Sequence, residues 1–246
     1  MSEEPLTAKV LEAYSLCPMK CRLYHLGDPS HGMARRVDAA RALHAAVKRA
    51  LDECYRAGGP RAAPVARLAE SFVACFEGRA CADSREEEEY RAAGLGMLRD
   101  YHGDHLGDEA TGVTVDVLLR GELEGRPFQA QADRREVRAD GRLVYLRYTT
   151  ARRPPTESAL EADLQTGLLQ LLAQQAEGRP VTIEVHALRT RRTLLATKPA
   201  DPLEAARLQI LALARAVREA QDFPTVRSRH CRWCHARGVC PAWSRR

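Results

Sequence analysis

The spacing of apolar residues divides this chain into a helical first part and a later part that contains strands. Up to about residue 110, apolar positions recur at intervals of three and four, as on one face of an amphipathic helix. The clearest set is Val37, Leu43, Val47, Leu51 and Cys54. The pattern predicts helices over residues 5–26, 34–57 and 61–77, and a further helix that begins at the acidic run 85–90.

From Thr111 onward the period of the pattern changes to two. Val113, Val115, Val117 and Leu119 alternate with polar residues, as a half-buried strand requires. Similar reasoning predicts two more strands, then a helix, two short strands and a last helix. These segments are residues 126–137, 142–150, 157–177, 181–190, 193–198 and 201–220.

The order of these elements predicts an α/β fold with one central mixed sheet flanked by helices. The chain contains no internal repeat and no long linker, so we expect a single domain over residues 1–246. Within it, residues 1–110 form a helical part and residues 111–200 form the sheet core. Residues 201–246 supply the last helix and a cysteine-rich tail.

The composition is typical of a folded protein and gives a first indication of its environment. Hydrophobic residues make up 45% of the 246 positions and charged residues 29%, which argues against disorder. The sequence has no run of 18 apolar residues, and its first residues lack the basic and apolar regions of a signal peptide. We therefore expect a cytoplasmic protein without a membrane partner. The net charge of +5 indicates a slight preference for polyanions.

The eight cysteines have a specific meaning if the compartment is reducing, because thiols there are ligands or buried groups rather than disulfides. Cys231, Cys234 and Cys240 form a C-x2-C-x5-C arrangement, which is one ligand short of a tetrahedral site. The residues alone leave the fourth ligand open. The candidates are Cys17, Cys21, Cys54, Cys75, Cys81, His230 and His235. A zinc site that uses His235 and an iron–sulfur cluster that uses a distant cysteine both fit the pattern, whereas Cys54, Cys75 and Cys81 are expected to be buried thiols.

A motif near the beginning of the chain, combined with this tail, resembles a known family. Tyr14-Ser-Leu-Cys17-Pro18 together with C-x2-C-x5-C-P resembles the RecB-like branch of the PD-(D/E)XK nuclease superfamily, especially the CRISPR-associated iron–sulfur exonucleases. The resemblance implies a restriction-endonuclease-like core and a 4Fe–4S cluster held by Cys17, Cys231, Cys234 and Cys240. Such a cluster would close a very long loop, which corresponds to roughly 5 kcal/mol of stabilisation by chain-entropy reasoning. The role of Cys21 is left open.

The resemblance also implies positions for a nuclease site. His44 matches a histidine of the family on an early helix, Asp133 matches its first metal-binding carboxylate, and Gln165 matches a glutamine on the helix after the sheet. Near these positions, Ala40 and Gln131 replace family glycines and Leu169 replaces an aromatic residue.

The stretch YLRYTTARRP aligns with the D/E-x-K strand of the family and departs from it at both key positions. Arg147 occupies the carboxylate position and Thr149 the lysine position. A guanidinium about 4 Å from a divalent cation costs roughly 8 kcal/mol at an effective dielectric constant of about 20. Alternation along the strand places Arg147 and Thr149 on the same face. We therefore expect the site to have lost Mg²⁺ or Mn²⁺ and hydrolysis, unless Glu122 and Glu124 supply a rearranged site.

Arginine at the former metal position suits direct contact with a phosphate. The predicted nucleic-acid contacts are Arg147, Arg152, Arg153, Arg189, Arg191, Arg192, Arg229 and Arg232, with Arg227 and Arg237 nearby. Three functions follow as hypotheses. The first is a non-catalytic iron–sulfur protein that binds DNA or scaffolds other subunits of a CRISPR-adaptation or recombination and repair complex. The second is an active metal-dependent DNA exonuclease with a rearranged site, and the third is a zinc-stapled adaptor for protein interactions.

Overall fold

The computed structural model of the chain describes residues 4–26 and 38–243. In these ranges the α-helices are α1 Ala8–Leu16, α2 Pro18–Cys21, α3 Ala39–Arg56, α4 Val65–Cys75, α5 Ser84–Asp104, α6 Glu157–Ala162, α7 Leu164–Glu177 and α8 Ala200–Glu219. The strands are β1 Thr111–Leu123, β2 Arg126–Val137, β3 Leu143–Thr149, β4 Thr182–Ala187 and β5 Arg192–Leu195. The first four residues of the helix predicted at 34–57 lie outside the described residues. No helix in the described ranges is long and apolar enough to cross a membrane.

The five strands form one mixed sheet in the order β1-β2-β3-β4-β5. Strands β3 and β4 are parallel, and the other neighbouring pairs are antiparallel. Since a parallel pair needs a long crossover, α6 and α7 lie between β3 and β4 in the chain. The α/β fold with a central mixed sheet is therefore confirmed.

Apolar side chains cover both faces of the sheet. One buried cluster joins residues of α1, α7 and α8 to the sheet, and its sheet members include Phe128, Tyr145 and Ile183. The other cluster joins residues of α3, α4 and α5 to Val144 and Leu146. Strand β3 is therefore buried on both sides through Leu146, as a central strand of an α/β sheet is. Only its last residues, from Arg147 onward, reach a solvent-accessible region.

Two predicted helices are each divided into two, and the break has a local cause in both cases. Pro18 disfavours a helical conformation at the residue before it, and Cys17 accordingly has φ −167° and ψ 110° between α1 and α2. Asp163 separates α6 from α7, and its carboxylate caps α7 by accepting hydrogen bonds from the backbone N–H groups of Gln165 and Thr166. The first break places Cys17 between two helices, and the second places Gln165 in the first turn of α7.

Candidate functional site

Four of the five predicted nuclease-site residues lie around one cavity of about 420 Å³ between α3, α7 and the sheet. They are His44, Asp133, Arg147 and Gln165. A larger cleft of about 950 Å³ adjoins this cavity and is also lined by His44, Arg147 and Gln165. Thr149 lines that larger cleft, next to the end of strand β3. The fold therefore brings together residues that are separated by more than a hundred positions in the sequence.

Asp133 uses one carboxylate oxygen to hold the sheet together. Strands β2 and β3 pair from Val137 to Arg134 only, and beyond this point they diverge. Asp133 Oδ2 accepts a hydrogen bond of 2.6 Å from the backbone N–H of Tyr148, just past the last pair. This carboxylate thus satisfies a backbone donor that the ladder leaves without a strand partner.

The second oxygen of Asp133 faces a lysine that the sequence analysis did not identify. Lys48 lies one turn after His44 on α3, and its ammonium is 3.8 Å from Asp133 Oδ1. The same ammonium donates hydrogen bonds to Asp52 Oδ2 at 2.7 Å and to Asp116 Oδ1 at 3.1 Å. Lys48 therefore lies among three carboxylates, and we call these four residues the Lys48 cluster.

The backbone of β1 explains why Asp116 joins the Lys48 cluster. Asp116 and Asp133 fall between the cross-strand pairs Val115↔Arg134 and Val117↔Ala132, so the two aspartates stand opposite each other at an irregularity of the ladder. Asp116 has φ +54°, a left-handed conformation that aspartate adopts more readily than most residues. A helical spacing of four between His44, Lys48 and Asp52 was the one sequence signal that could have pointed to the cluster.

Charges within the Lys48 cluster influence one another. Burial disfavours the charged form of Lys48, but the hydrogen bonds to Asp52 and Asp116 outweigh it and raise the lysine pKa. Burial raises the pKa of Asp52, and Lys48 opposes that effect. The hydrogen bond from Lys48 lowers the pKa of Asp116. Asp52 is 5% exposed, and its Oδ1 atom has no hydrogen-bond partner among the residues that the structure describes.

Arg147 is held by two residues at the start of α7. Its Nη2 atom donates a 3.0 Å hydrogen bond to Gln165 Oε1, and Nη1 lies 3.7 Å from Asp163 Oδ2. Gln165 in turn donates from Nε2 to Glu12 Oε2 on α1 at 2.9 Å. These contacts orient the guanidinium of Arg147, and the Arg147 side chain remains 30% exposed.

His44 completes the cavity from the side of α3. Burial lowers its pKa, and the nearby cations Arg147 and Lys48 lower it further, against the effect of Asp133. The imidazole is therefore neutral at neutral pH. Three basic side chains, Lys9, Lys48 and Arg147, therefore line the cavity together with the carboxylate of Asp133.

This arrangement does not fit a divalent metal ion. Among the described residues, no three His, Cys, Asp or Glu side chains are placed so that they could hold one. The alternative carboxylates do not supply the missing ligands, since Glu124 pairs with Arg207 at 2.9 Å and Glu122 is exposed on β1. Glu136 is fully buried and pairs with Arg134 at 2.8 Å and Arg138 at 2.6 Å.

The predicted arginine contacts separate into three regions. Arg152 and Arg189 line the large cleft together with Arg147 and Arg41, and the exposed Arg153 follows directly. Arg189 Nε donates to the carbonyl oxygen of Thr150 at 2.8 Å, and burial lowers its pKa. Arg191 and Arg192 line a different cavity beside α5, where Arg191 pairs with Asp104. Arg229 and Arg232 are exposed on the tail.

The tail cysteines and Cys17 line one further cavity, of about 160 Å³. Its thiols come from Cys17, Cys231, Cys234 and Cys240. The backbone N–H of Met19 donates to the carbonyl oxygen of Pro224, which ties the start of α2 to the tail. Cys17 Sγ accepts a hydrogen bond from Val226 N and Cys231 Sγ accepts one from Ser228 N, both at 3.4 Å. Backbone N–H groups of the C-terminal tail thus donate to both thiols, and the donor to Cys17 comes from a residue 209 positions away in the chain.

The remaining cysteines are distributed differently. Cys21 is fully buried and donates to the carbonyl oxygen of Val10 at 3.5 Å, and burial raises its pKa to about 11, so it is a core thiol. Cys54 is buried, as expected, and burial raises its pKa to about 11 as well. The prediction of buried thiols was wrong for Cys75, which is exposed at the end of α4, and for Cys81, which is only half-buried. By helical spacing Cys75 shares the face of Leu68 and Phe72, but it is the last residue of α4 and is exposed there.

A mixed sheet lies between two helical layers, with Asp133 on β2 and Arg147 on the neighbouring β3, and this is the arrangement of a nuclease-type core. The chain belongs to the PD-(D/E)XK nuclease superfamily, whose family model matches residues 5–241. The fold is similar to the crystal structure of a protein named "Putative exonuclease" from Eubacterium rectale, with a TM-score of 0.56 at 10% identity over 99% of this chain and 89% of that one. The crystal structure of SSO0001 is similar over 65% of this chain and 81% of that one, with a TM-score of 0.38 at 14% identity. Among curated protein sequences, none matches this chain.

Proposed function

We propose that this member of the nuclease superfamily binds DNA in its large cleft without hydrolysing it. The observation that supports the proposal is the set of basic side chains in the cavity that contains Asp133. Arg147 replaces a metal-binding carboxylate, and Lys48 binds the carboxylates that remain. Hydrolysis by this superfamily needs a divalent ion to stabilise charge at the attacked phosphate, and the cations beside Asp133 oppose its binding.

The same cations suit a phosphate that is bound rather than cleaved. Arginine presents a planar set of donors that matches phosphate oxygens, and the contact of Arg147 with Gln165 holds that set in place. Arg41, Arg152 and Arg189 extend the basic lining of the cleft. A DNA backbone bound here would release counterions, so its affinity should fall steeply as the salt concentration rises.

We also propose that Cys17, Cys231, Cys234 and Cys240 hold a 4Fe–4S cluster. Four thiols around one cavity are the donor set that such a cluster needs, and backbone N–H groups point at two of the sulfurs. An iron–sulfur cluster spreads its ligands farther apart than a single ion does, because iron and sulfide atoms fill the space between them. Iron and zinc analysis of the purified protein would decide between a cluster and a zinc ion at these thiols. Such a cluster would link the N-terminal segment that contains Cys17 to the C-terminal tail.

A binding experiment tests the proposed cleft. Fluorescence anisotropy of labelled single-stranded and duplex DNA, repeated over a salt series, gives the affinity and its salt dependence. We expect Arg152→Gln and Arg189→Gln to weaken binding and to reduce the slope of log Kd against log salt concentration by about 1 each. Arg85→Gln removes the same charge from the exposed face of α5, where Arg85 pairs with Glu89, and serves as the matched control.

A cleavage assay tests the loss of hydrolysis. We expect the wild-type protein to leave labelled DNA intact in Mg²⁺ or Mn²⁺. Cleavage that disappears in Asp133→Ala would instead establish an active exonuclease with a rearranged site, in which Lys48 would be the natural substitute for the lysine of the motif. If the strand register is correct, the double substitution Arg147→Asp and Thr149→Lys restores the motif and should increase cleavage. Co-purification of other DNA-processing subunits would test the scaffold hypothesis.

A further inference from the structure

The surface around the cysteine cavity carries an unusually exposed aromatic side chain. Trp233, at the end of the short helical turn Arg229–Trp233, is 72% exposed, which is more than any other large apolar residue in the described ranges. Trp233 also lines the cysteine cavity, so its backbone position depends on that site. Leaving an indole in water has a cost, and an exposed aromatic residue on a rigid turn suggests a ligand with a flat face.

The charge of this surface limits what that ligand can be. Residues 223–243 contain four arginines, Arg227, Arg229, Arg232 and Arg237, and no aspartate or glutamate. Arg229 and Arg232 are exposed on the same turn as Trp233. A stretch of this kind, basic and without acidic residues, is complementary to a polyanion.

The second tryptophan of the chain is arranged differently, which makes it a useful comparison. Two guanidinium groups lie over its ring, with Arg227 at 4.8 Å and Arg237 at 4.5 Å from the ring centroid. Trp243 is 40% exposed and is thus engaged by cations of its own chain. A base could stack on Trp233 without displacing such contacts.

The first helix links this surface to the central site. Thr7, Ala8 and Lys9, at its beginning, line the cavity that contains Asp133, whereas Leu16 and Cys17, at its end, line the cysteine cavity. Nine helical residues span only about 14 Å at 1.5 Å per residue. One extended strand of nucleic acid can therefore contact both regions.

We propose that Trp233, together with Arg229 and Arg232, binds single-stranded nucleic acid, with a base stacked on the indole and phosphates paired with the arginines. The proposal rests on the proposed function in assuming a nucleic-acid ligand, and it adds a second contact region and a preference for unpaired bases. Duplex DNA keeps its bases stacked on one another, so only a single strand can present a base face to Trp233. Basic grooves interleaved with aromatic residues are the usual means of binding single strands.

The test compares matched tryptophan variants of the full-length protein, prepared without oxygen. The probes are a labelled oligothymidylate of about 16 nucleotides, at the upper end of known site sizes, and a blunt duplex of the same length. We expect Trp233→Ala to weaken oligothymidylate binding by about 10- to 100-fold and to change duplex binding by less than about 2-fold. Trp233→Phe retains an aromatic face and should restore most of the affinity. Trp243→Ala is the control, because its ring is covered by Arg227 and Arg237.

The outcomes separate this proposal from the proposed function. If Trp233→Ala binds the single strand as the wild-type protein does while Arg189→Gln loses affinity, the Trp233 surface is not a nucleic-acid site and the cleft still is. If the wild-type protein binds neither probe, both proposals fail. Equal iron content and thermal stability of the three variants would show that any loss of affinity does not come from damage to the cysteine site.

Discussion

The carboxylate of Asp133 lies 2.6 Å from the backbone nitrogen of Tyr148 and fastens β2 to β3 where their ladder ends. This contact gives the residue a structural role that differs from that of a metal ligand. Hydrogen bonds to charged groups are worth about 1.5–3 kcal/mol, so Asp133→Ala should destabilise the protein by about 2 kcal/mol. Asp133→Asn keeps an acceptor and should cost about half as much. Urea unfolding measures both values, and equal stability of wild type and Asp133→Ala would contradict the assignment.

Removing Lys48 should let Asp52, Asp116 and Asp133, which are not placed to hold a metal ion in the described structure, move together around a divalent cation. In Lys48→Met these carboxylates lose their shared cation, and we expect a loss of about 3 kcal/mol because the mostly buried Asp52 and Asp133 are left without it. Binding of Mn²⁺ to the native state would then stabilise the variant, while the wild-type protein should not respond. Thermal unfolding with and without Mn²⁺ measures this difference.

The matched control for Lys48 is the double variant Lys48→Met with Asp116→Asn. It removes one of the three carboxylates and should lose most of the response to Mn²⁺. A wild-type protein that is stabilised by Mn²⁺ as strongly as Lys48→Met would overturn the view that the lysine takes the place of a metal ion.

If the four cysteines hold a cluster, replacing one of them by serine should greatly lower the iron content and the stability of the protein. We expect Cys17→Ser to lose iron and visible absorbance and to lower the free energy of unfolding by as much as about 5 kcal/mol, because the ends of the chain are no longer clasped. Cys75→Ser is the control, since Cys75 is exposed and distant from the cavity in sequence. Iron analysis and chemical denaturation under nitrogen check the result. A colourless wild-type protein, or a serine variant of equal stability, would refute the cluster.

An ion pair between the sheet and α7 predicts a pH dependence of stability. Two hydrogen bonds from Arg135, together with one from Tyr145, outweigh partial burial and lower the pKa of Glu177 from 4.5 to about 2. A depressed carboxyl pKa contributes stability that is complete above pH 4.5 and is lost as the pH falls through about 2. Glu177→Gln should therefore be less stable than wild type at neutral pH, and the difference should shrink below pH 4.5. Urea unfolding across this range tests it, with Glu88→Gln on the exposed face of α5 as the control for charge removal.

Much of the fold could be predicted because its signals are local. Most strand and helix segments followed from apolar periodicity, and the helix at 85–90 followed from its acidic first turn. The breaks at Cys17 and Asp163 came from a proline and from a capping aspartate, and the strand predicted over 181–190 ends at Ala187, where a 3-10 helix begins. The two departures from the nuclease motif, Arg147 and Thr149, could be read directly as residue types at aligned positions. The exposure of Cys75 could not, because a single cysteine fits either side of a helix in a sequence pattern.

The contacts of the Lys48 cluster could not be predicted from the sequence. Lys48 is 68 positions from Asp116 and 85 from Asp133, and no spacing rule connects residues at such distances. Their meeting depends on how α3 packs on the sheet and on an irregular pair in the β1–β2 ladder.

The sequence by itself therefore determined most of the elements, the membership of an α/β class and the residue types at the positions where the resemblance implies a nuclease motif. Periodicity and motif spacing involve residues only a few positions apart, so both can be read from the sequence. Only the tertiary structure decided which charges face one another and that Cys17 joins the three tail cysteines around one cavity. Electrostatic interaction depends on distance in space and on burial, and packing of distant segments sets both.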